Sequence, residues 1–115
     1  MVQTSAPPTT LEAFLALPET KPASEYVQER IIKKPMPQRK HSTIQRDFTM
    51  AVEGVLKPNG IGRAFPELRC TFSDRAIVPD VAVFTNSRIP RNPDGTIANQ
   101  FTLPPDWTIK ILLPG

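Results

Sequence analysis

Apolar residues in this chain come in short groups, and their spacing predicts the elements. Leu11, Phe14, Leu15 and Leu17 form a helical stripe that Pro18 stops, with Thr9 and Glu12 at capping-box spacing ahead of it. Residues 24–27 and 30–34 read as two short strands. Gln28-Glu29 would be the turn between them, although neither residue favours positive φ, and Pro35-Met36-Pro37 ends the second strand. Ile44, Phe48, Ala51, Val52 and Val55 recur on one helical face, which predicts a helix over 42–56 with Ser42 as N-cap and Lys57-Pro58-Asn59-Gly60 as the stop.

The second half of the chain is strand-like. Residues 68–72 read as a strand, Ser73-Asp74-Arg75 as a turn, and 76–84 as one further strand. Residues 85–105 carry Pro90, Asn92-Pro93, Asp94-Gly95 and Pro104-Pro105, and read as a long loop of the kind that is functional or disordered. The apolar run 107–113 suits a central strand covered on both faces. With nothing after it to cover it, an unpaired edge and self-association through that edge are expected.

Composition narrows the class. The chain has 115 residues, enough for one domain at most. Proline accounts for 14 of them, far above the usual share of about 5%, yet 39% hydrophobic and 22% charged residues exclude a wholly disordered chain. Residues 1–10 read as a flexible tail and 11–115 as the folded part. No apolar run is long enough to cross a membrane, and the first ten residues carry no secretory pattern. Cys70 is the single cysteine, which excludes an intrachain disulfide and multi-cysteine metal sites within this chain. It fits a reducing cytoplasm. On its apolar strand it reads as a buried, inert thiol. Trp107 and Phe84 read as core residues rather than base-stacking groups.

The net charge is +3, and its placement says more than its size. Arg30, Lys33, Lys34, Arg39, Lys40 and Arg46 lie in one stretch, with His41 beside them. Such a stretch either meets phosphates or is a solvated basic face. The other notable feature is Asp80 within the apolar run Ile77-Val78-Pro79-Asp80-Val81-Ala82-Val83-Phe84. A carboxylate there costs several kcal/mol, of order 3 or more, unless it is paired or binds a metal. Asp80, Ala82 and Phe84 would share one face, and Thr108, Lys110 and Leu112 one face of the last strand. Pro-Asp followed by such a strand is either a strand-start turn or the outline of a metal-dependent phosphodiesterase.

The motifs together resemble the putative restriction endonuclease family of the PD-(D/E)XK nuclease superfamily. They are Leu11-Glu12-Ala13-Phe14-Leu15, Ser24-Glu25-Tyr26-Val27, Lys34-Pro35-Met36-Pro37, the helix opening at His41, Ala64-Phe65-Pro66-Glu67-Leu68, the Pro79-Asp80 run and Pro104-Pro105-Asp106-Trp107. The resemblance implies an α+β, restriction-endonuclease-like fold in which helices flank a mixed β-sheet. It implies DNA as partner and Mg²⁺ as cofactor. It makes Asp80 and Glu25 the metal-binding acids, Lys110 the third catalytic position, and Arg39, Lys40 and His41 the DNA-facing group. The family pattern has glutamate where this chain has Lys110. Read instead as (D/E)-x-K, Thr108-Ile109-Lys110 keeps the lysine but lacks the acid. The family also continues with a further strand–helix part. Against that pattern the chain reads as a truncated or decayed copy, or as the N-terminal part of a longer protein, with its nuclease site degenerate.

Overall fold

A computed structural model describes residues 9–112. The elements in chain order are α1 (Leu11–Leu15), β1 (Ser24–Val27), β2 (Arg30–Lys33), α2 (Arg39–Leu56), β3 (Gly62–Pro66), β4 (Cys70–Phe72), β5 (Arg75–Ile77), β6 (Val81–Thr85), a short 3₁₀ turn (Asn86–Arg88) and β7 (Trp107–Ile109). The α+β class holds. The strands form two sheets rather than one, in the orders β2-β1-β5-β4 and β3-β6-β7, and every ladder between these strands is antiparallel.

The expected strand over 76–84 is two strands in different sheets. Pro79 supplies no N–H to a ladder, so the chain bends across Val78-Pro79-Asp80 and changes sheet there. Both short hairpins turn on two consecutive left-handed residues, Gln28-Glu29 (φ 51° and 63°) and Ser73-Asp74 (φ 47° and 58°). This backbone matches the strand twist, and it is adopted here without glycine.

Helix α1 is capped by Thr10, whose hydroxyl accepts the Ala13 N–H at 3.1 Å, and not by Thr9. Thr9 is engaged elsewhere: its N–H donates to the Glu29 carbonyl and its carbonyl accepts the Tyr26 hydroxyl. The tail expected over 1–10 otherwise lies outside the described residues. Helix α2 begins three residues before the expected cap, with Gln38 as N-cap and no side-chain capping bond. Ser42 is already within the helix, its N–H bonded to the Gln38 carbonyl.

Among the described residues, three small cores hold the structure. Phe14 of α1 stacks on Tyr26 and packs with Ala76 on the first sheet. Val52 and Leu56 of α2 cover Ala64, Val81 and Val83 on one face of the second sheet. Its other face carries Ala82 and Phe84 against Cys70, Ile89 and Phe101. The expected loop 85–105 is thus part of the packing, supplying buried Ile89 and Phe101. Gly62 lies so close to β6 that a Cβ there would come within 2.2 Å of the Phe84 carbonyl oxygen. Only glycine permits that approach.

Among the described residues β7 pairs with β6 alone and stands at the edge of its sheet, and Trp107 is 55% exposed, so it is not a core residue. Leu113 of the expected strand lies outside the described residues. Among the described residues, no helix is long and apolar enough to cross a membrane.

Candidate functional site

The bend between the sheets delivers Asp80 into the interior, where it is only 5% exposed. Its Oδ1 accepts the Lys34 ammonium at 3.2 Å and its Oδ2 accepts the Ile111 N–H at 2.7 Å, with His41 Nε2 3.4 Å from the same oxygen. Its backbone carbonyl accepts the Gln45 amide at 2.7 Å and the Glu67 N–H at 3.3 Å. Burial pushes the carboxyl up, but the Ile111 N–H, the Lys34 ammonium and His41 outweigh burial and hold it below the usual carboxylate range.

Lys34 follows directly on β2 and is anchored by its own N–H on the Ala23 carbonyl at 2.8 Å. Its ammonium has three donors and three acceptors: the Val78 carbonyl at 2.7 Å, Glu67 Oε2 at 3.0 Å and Asp80 Oδ1 at 3.2 Å. Burial pulls its pKa down, yet the bonds to Glu67 and Asp80 prevail and raise it. Glu67 reaches this position from a left-handed residue just beyond β3 (φ 50°), and its Oε2 also accepts the Gln45 amide at 3.2 Å.

The structure brings together some of the residues singled out in the sequence. His41, in the first turn of α2, touches Asp80 through Nε2, while its buried Nδ1 has no partner among the described residues. Glu25 bonds the backbone beside the site, with Oε2 accepting the Val78 N–H at 2.7 Å. Arg39 and Lys40 are exposed at the first two positions of α2. Lys110, the third catalytic position by resemblance, does not join Asp80: it is exposed and makes no ion pair among the described residues, and the cation beside Asp80 is Lys34. The ladder ends at Val81–Ile109, and beyond it the backbone N–H of Ile111 reaches Asp80. The expected alternation Asp80-Ala82-Phe84 also fails at the bend: Asp80 meets His41 of α2, the helix that covers the Val81–Val83 face.

Sequence reasoning missed Lys34, Glu67 and Gln45 as site residues. One signal existed, since a buried aspartate requires a cation and Lys34 stands at the end of a strand that a proline terminates. A groove of about 580 Å³ runs alongside, sharing Glu67 and Val78 with the site and bordered by Lys21, Met36 and Arg69. Cys70 is buried and its thiol is pushed up to about 11 by desolvation, as an inert core thiol should be.

Comparison with known proteins sets this geometry in a family. A family model described as "Uma2: Putative restriction endonuclease" matches residues 11–115. The crystal structure of a putative nuclease belonging to DUF820, from Anabaena variabilis ATCC 29413, superposes with a TM-score of 0.90 at 59% sequence identity. The match covers 93% of this chain and 60% of that one, so the chain spans less than two-thirds of that nuclease's length. No curated protein matches the chain.

Proposed function

The chain belongs to the putative restriction endonuclease family, and from that premise we propose that it carries a degenerate form of a Mg²⁺-dependent DNA endonuclease site of PD-(D/E)XK type. The fold and the aspartate at the bend are kept, and the metal centre is not. In an intact site of this type the bound ion supplies charge stabilisation at the scissile phosphate and a more acidic water.

The residues of this chain do not fit that ion as they stand. Mg²⁺ takes oxygen ligands at about 2.0–2.1 Å in a near-octahedral set. Both Asp80 oxygens are already engaged, by an ammonium, a backbone N–H and an imidazole. Glu25 spends one oxygen on the Val78 N–H, and the position expected to hold the second acid is Lys110. Among the described residues, no three His, Cys, Asp or Glu side chains converge as a metal-binding group. The observation that carries the reading is the neutralised Asp80: it has a complete set of partners without a metal.

DNA remains the partner this surface suits. Arg39 and Lys40 stand exposed at the N-terminus of α2, where the helix dipole also favours a phosphate. His41 is the next residue and links that end of the helix to Asp80. The function proposed is therefore DNA binding on a nuclease fold without phosphodiester hydrolysis. Supercoiled plasmid incubated with the purified chain and Mg²⁺ tests it. The plasmid should be retarded on a gel at low salt and should stay supercoiled, with Mn²⁺ as with Mg²⁺. Nicking that disappears in Asp80→Ala overturns the reading and makes the Thr108-Ile109-Lys110 arrangement the active one.

A further inference from the structure

The groove beside the Asp80 site measures about 580 Å³. That lies within the roughly 300–1,000 Å³ of small-ligand sites, so it admits a nucleotide and not a duplex. Pro22, Met36, Pro37 and Val78 give it apolar walls, and Met36 is 73% exposed. The segment 20–24 along it is tied to itself and to the sheet. The Thr20 hydroxyl donates to the Pro22 carbonyl at 2.8 Å, so the Ser24 hydroxyl is the donor in its 2.6 Å bond to Thr20 Oγ1. The Ala23 carbonyl accepts the Lys34 N–H. These polar groups are spent within the protein.

Three others are not. Arg69, Lys21 and Glu19 line the groove and make no ion pair among the described residues. The Arg69 guanidinium lies over the Phe14 ring, 5.0 Å from its centroid, and its buried Nε has no hydrogen-bond partner among the described residues. Phe14 is 3% exposed and does not line the groove, so the guanidinium stands between the ring and the groove. A guanidinium plane backed by an aromatic ring is a platform on which an unstacked base can lie. A simple anion would call for cations alone. A nucleotide uses both signs, its phosphate taking a cation and the amino group of a base such as cytosine donating to a carboxylate.

Resting on the DNA-binding reading above, we propose that this groove is a subsite for an unpaired nucleotide of a DNA strand, with Arg69 as its platform and Lys21 on its phosphate. The DNA that suits the chain best is then a single strand, or a duplex with an unpaired end, rather than a fully paired duplex. The groove lies where such an end would fall. From its wall at Met36-Pro37 the chain runs through Gln38 into Arg39 and Lys40, exposed at the start of α2. Pro37 and Arg39 are at most about 7 Å apart along the backbone. That is about two nucleotide steps of a strand.

Fluorescence anisotropy at one fixed salt concentration tests this with labelled probes. They are an oligodeoxycytidylate of about eight nucleotides, a blunt DNA hairpin, and the same hairpin with a short cytidine tail at its 5′ or its 3′ end. One tailed hairpin should bind about tenfold more tightly than the blunt one. Arg69→Gln should remove that advantage and leave the affinity for the blunt hairpin as it is. Lys21→Gln combined with Met36→Ser, both at exposed positions, should also remove it with the melting temperature unchanged, and decides the matter if Arg69→Gln does not fold. Equal affinity for blunt and tailed hairpins overturns the proposal, as does an advantage that survives in the folded variants. The two readings fail separately. Blunt-hairpin binding with no gain from a tail keeps the DNA-binding reading and defeats the subsite. Binding of the oligodeoxycytidylate through Arg69 with none of the blunt hairpin keeps the subsite and defeats duplex binding at α2. A chain that binds no probe overturns both.

Discussion

At its Thr85 end, β6 runs into a dry cluster in which Phe65, Phe84 and Phe101 meet edge to face, with ring centroids 4.9–6.1 Å apart. At its Val81 end, four residues away, it leads back to Asp80 and a group of charged and polar partners drawn from the residue after β2, from α2, from the turn after β3 and from the segment after β7. The dry end is held by shape, with Gly62 admitting the neighbouring strand to within a distance no side chain would allow. The charged end is held by partner number: every oxygen of Asp80, backbone and side chain, has at least one donor. Shape tolerates few substitutions but does not respond to pH or salt. Charge tolerates a change of partner and responds to both.

The largest effect should come from the dry end. Phe84→Ala removes a fully buried ring from the aromatic cluster and should cost about 3–5 kcal/mol. Domains of this size hold only about 5–15 kcal/mol in all. The urea midpoint should fall steeply or the cooperative transition should vanish, with no dependence on pH between 5 and 9 beyond that of the parent.

Asp80→Ala should rank next, at about 3 kcal/mol, because it strands the half-buried Lys34 ammonium and the Ile111 N–H. Here pH separates the two ends. Asp80 titrates below its usual 3.8 in the folded chain, so its contribution is complete above that value and is lost as pH falls through the lowered pKa. Lys34 titrates above 10.5, so its contribution is complete below that value and is lost as pH rises through the raised one. The difference in melting temperature between the parent and Asp80→Ala should therefore shrink in strong acid, where Asp80 takes up its proton, and in strong base, where Lys34 gives up its own. A difference unchanged in strong acid would show that the Asp80 charge does not govern it.

The same contrast explains which parts of the fold were legible in the sequence. The hairpin strand 24–27, the stop of α2 and the buried Cys70 follow from local patterns, and the structure reproduces them. β3 is hard to see in the sequence because Gly62 and Pro66 are poor strand formers. Its place is set by the close approach to Phe84, a long-range fact. The inward face of α2 is offset by one position from its apolar stripe. Ile44, Phe48 and Val55 are all at least about a third exposed, and the helix turns His41, Gln45, Thr49, Val52, Glu53 and Leu56 inward. Hydrophobic periodicity finds the apolar stripe, but this helix spans a charged site, and its inward face must supply donors there. Glu53 does the same further along, accepting the Ala64 N–H at 2.8 Å and pairing with Arg63. Asp80 was legible because one carboxylate in an apolar run demands a partner. Lys34 was not, because that partner lies 46 residues away and looks like any other member of a basic stretch.

The smallest effect on stability, and the sharpest on the proposed function, belongs to Arg39 and Lys40. They open α2, which has no side-chain capping bond and no acidic residue in its first turn. Two cations at a helix N-terminus oppose the macrodipole, each by about 0.3–1 kcal/mol when exposed. Alanine removes that opposition and is the better helix former. Replacing both with alanine should therefore leave stability unchanged or raise it by a few tenths of a kcal/mol, in contrast to every substitution above. If the pair meets phosphates, the same change should weaken binding to duplex DNA. It should also flatten the log–log dependence on salt by about 0.9 for each phosphate no longer neutralised, or about 1.8 for both. Residues that cost the fold stability and add to the salt slope are placed for a ligand. An unchanged slope beside an unchanged melt would assign them to a solvated face and leave Asp80 and its cation as a purely structural centre.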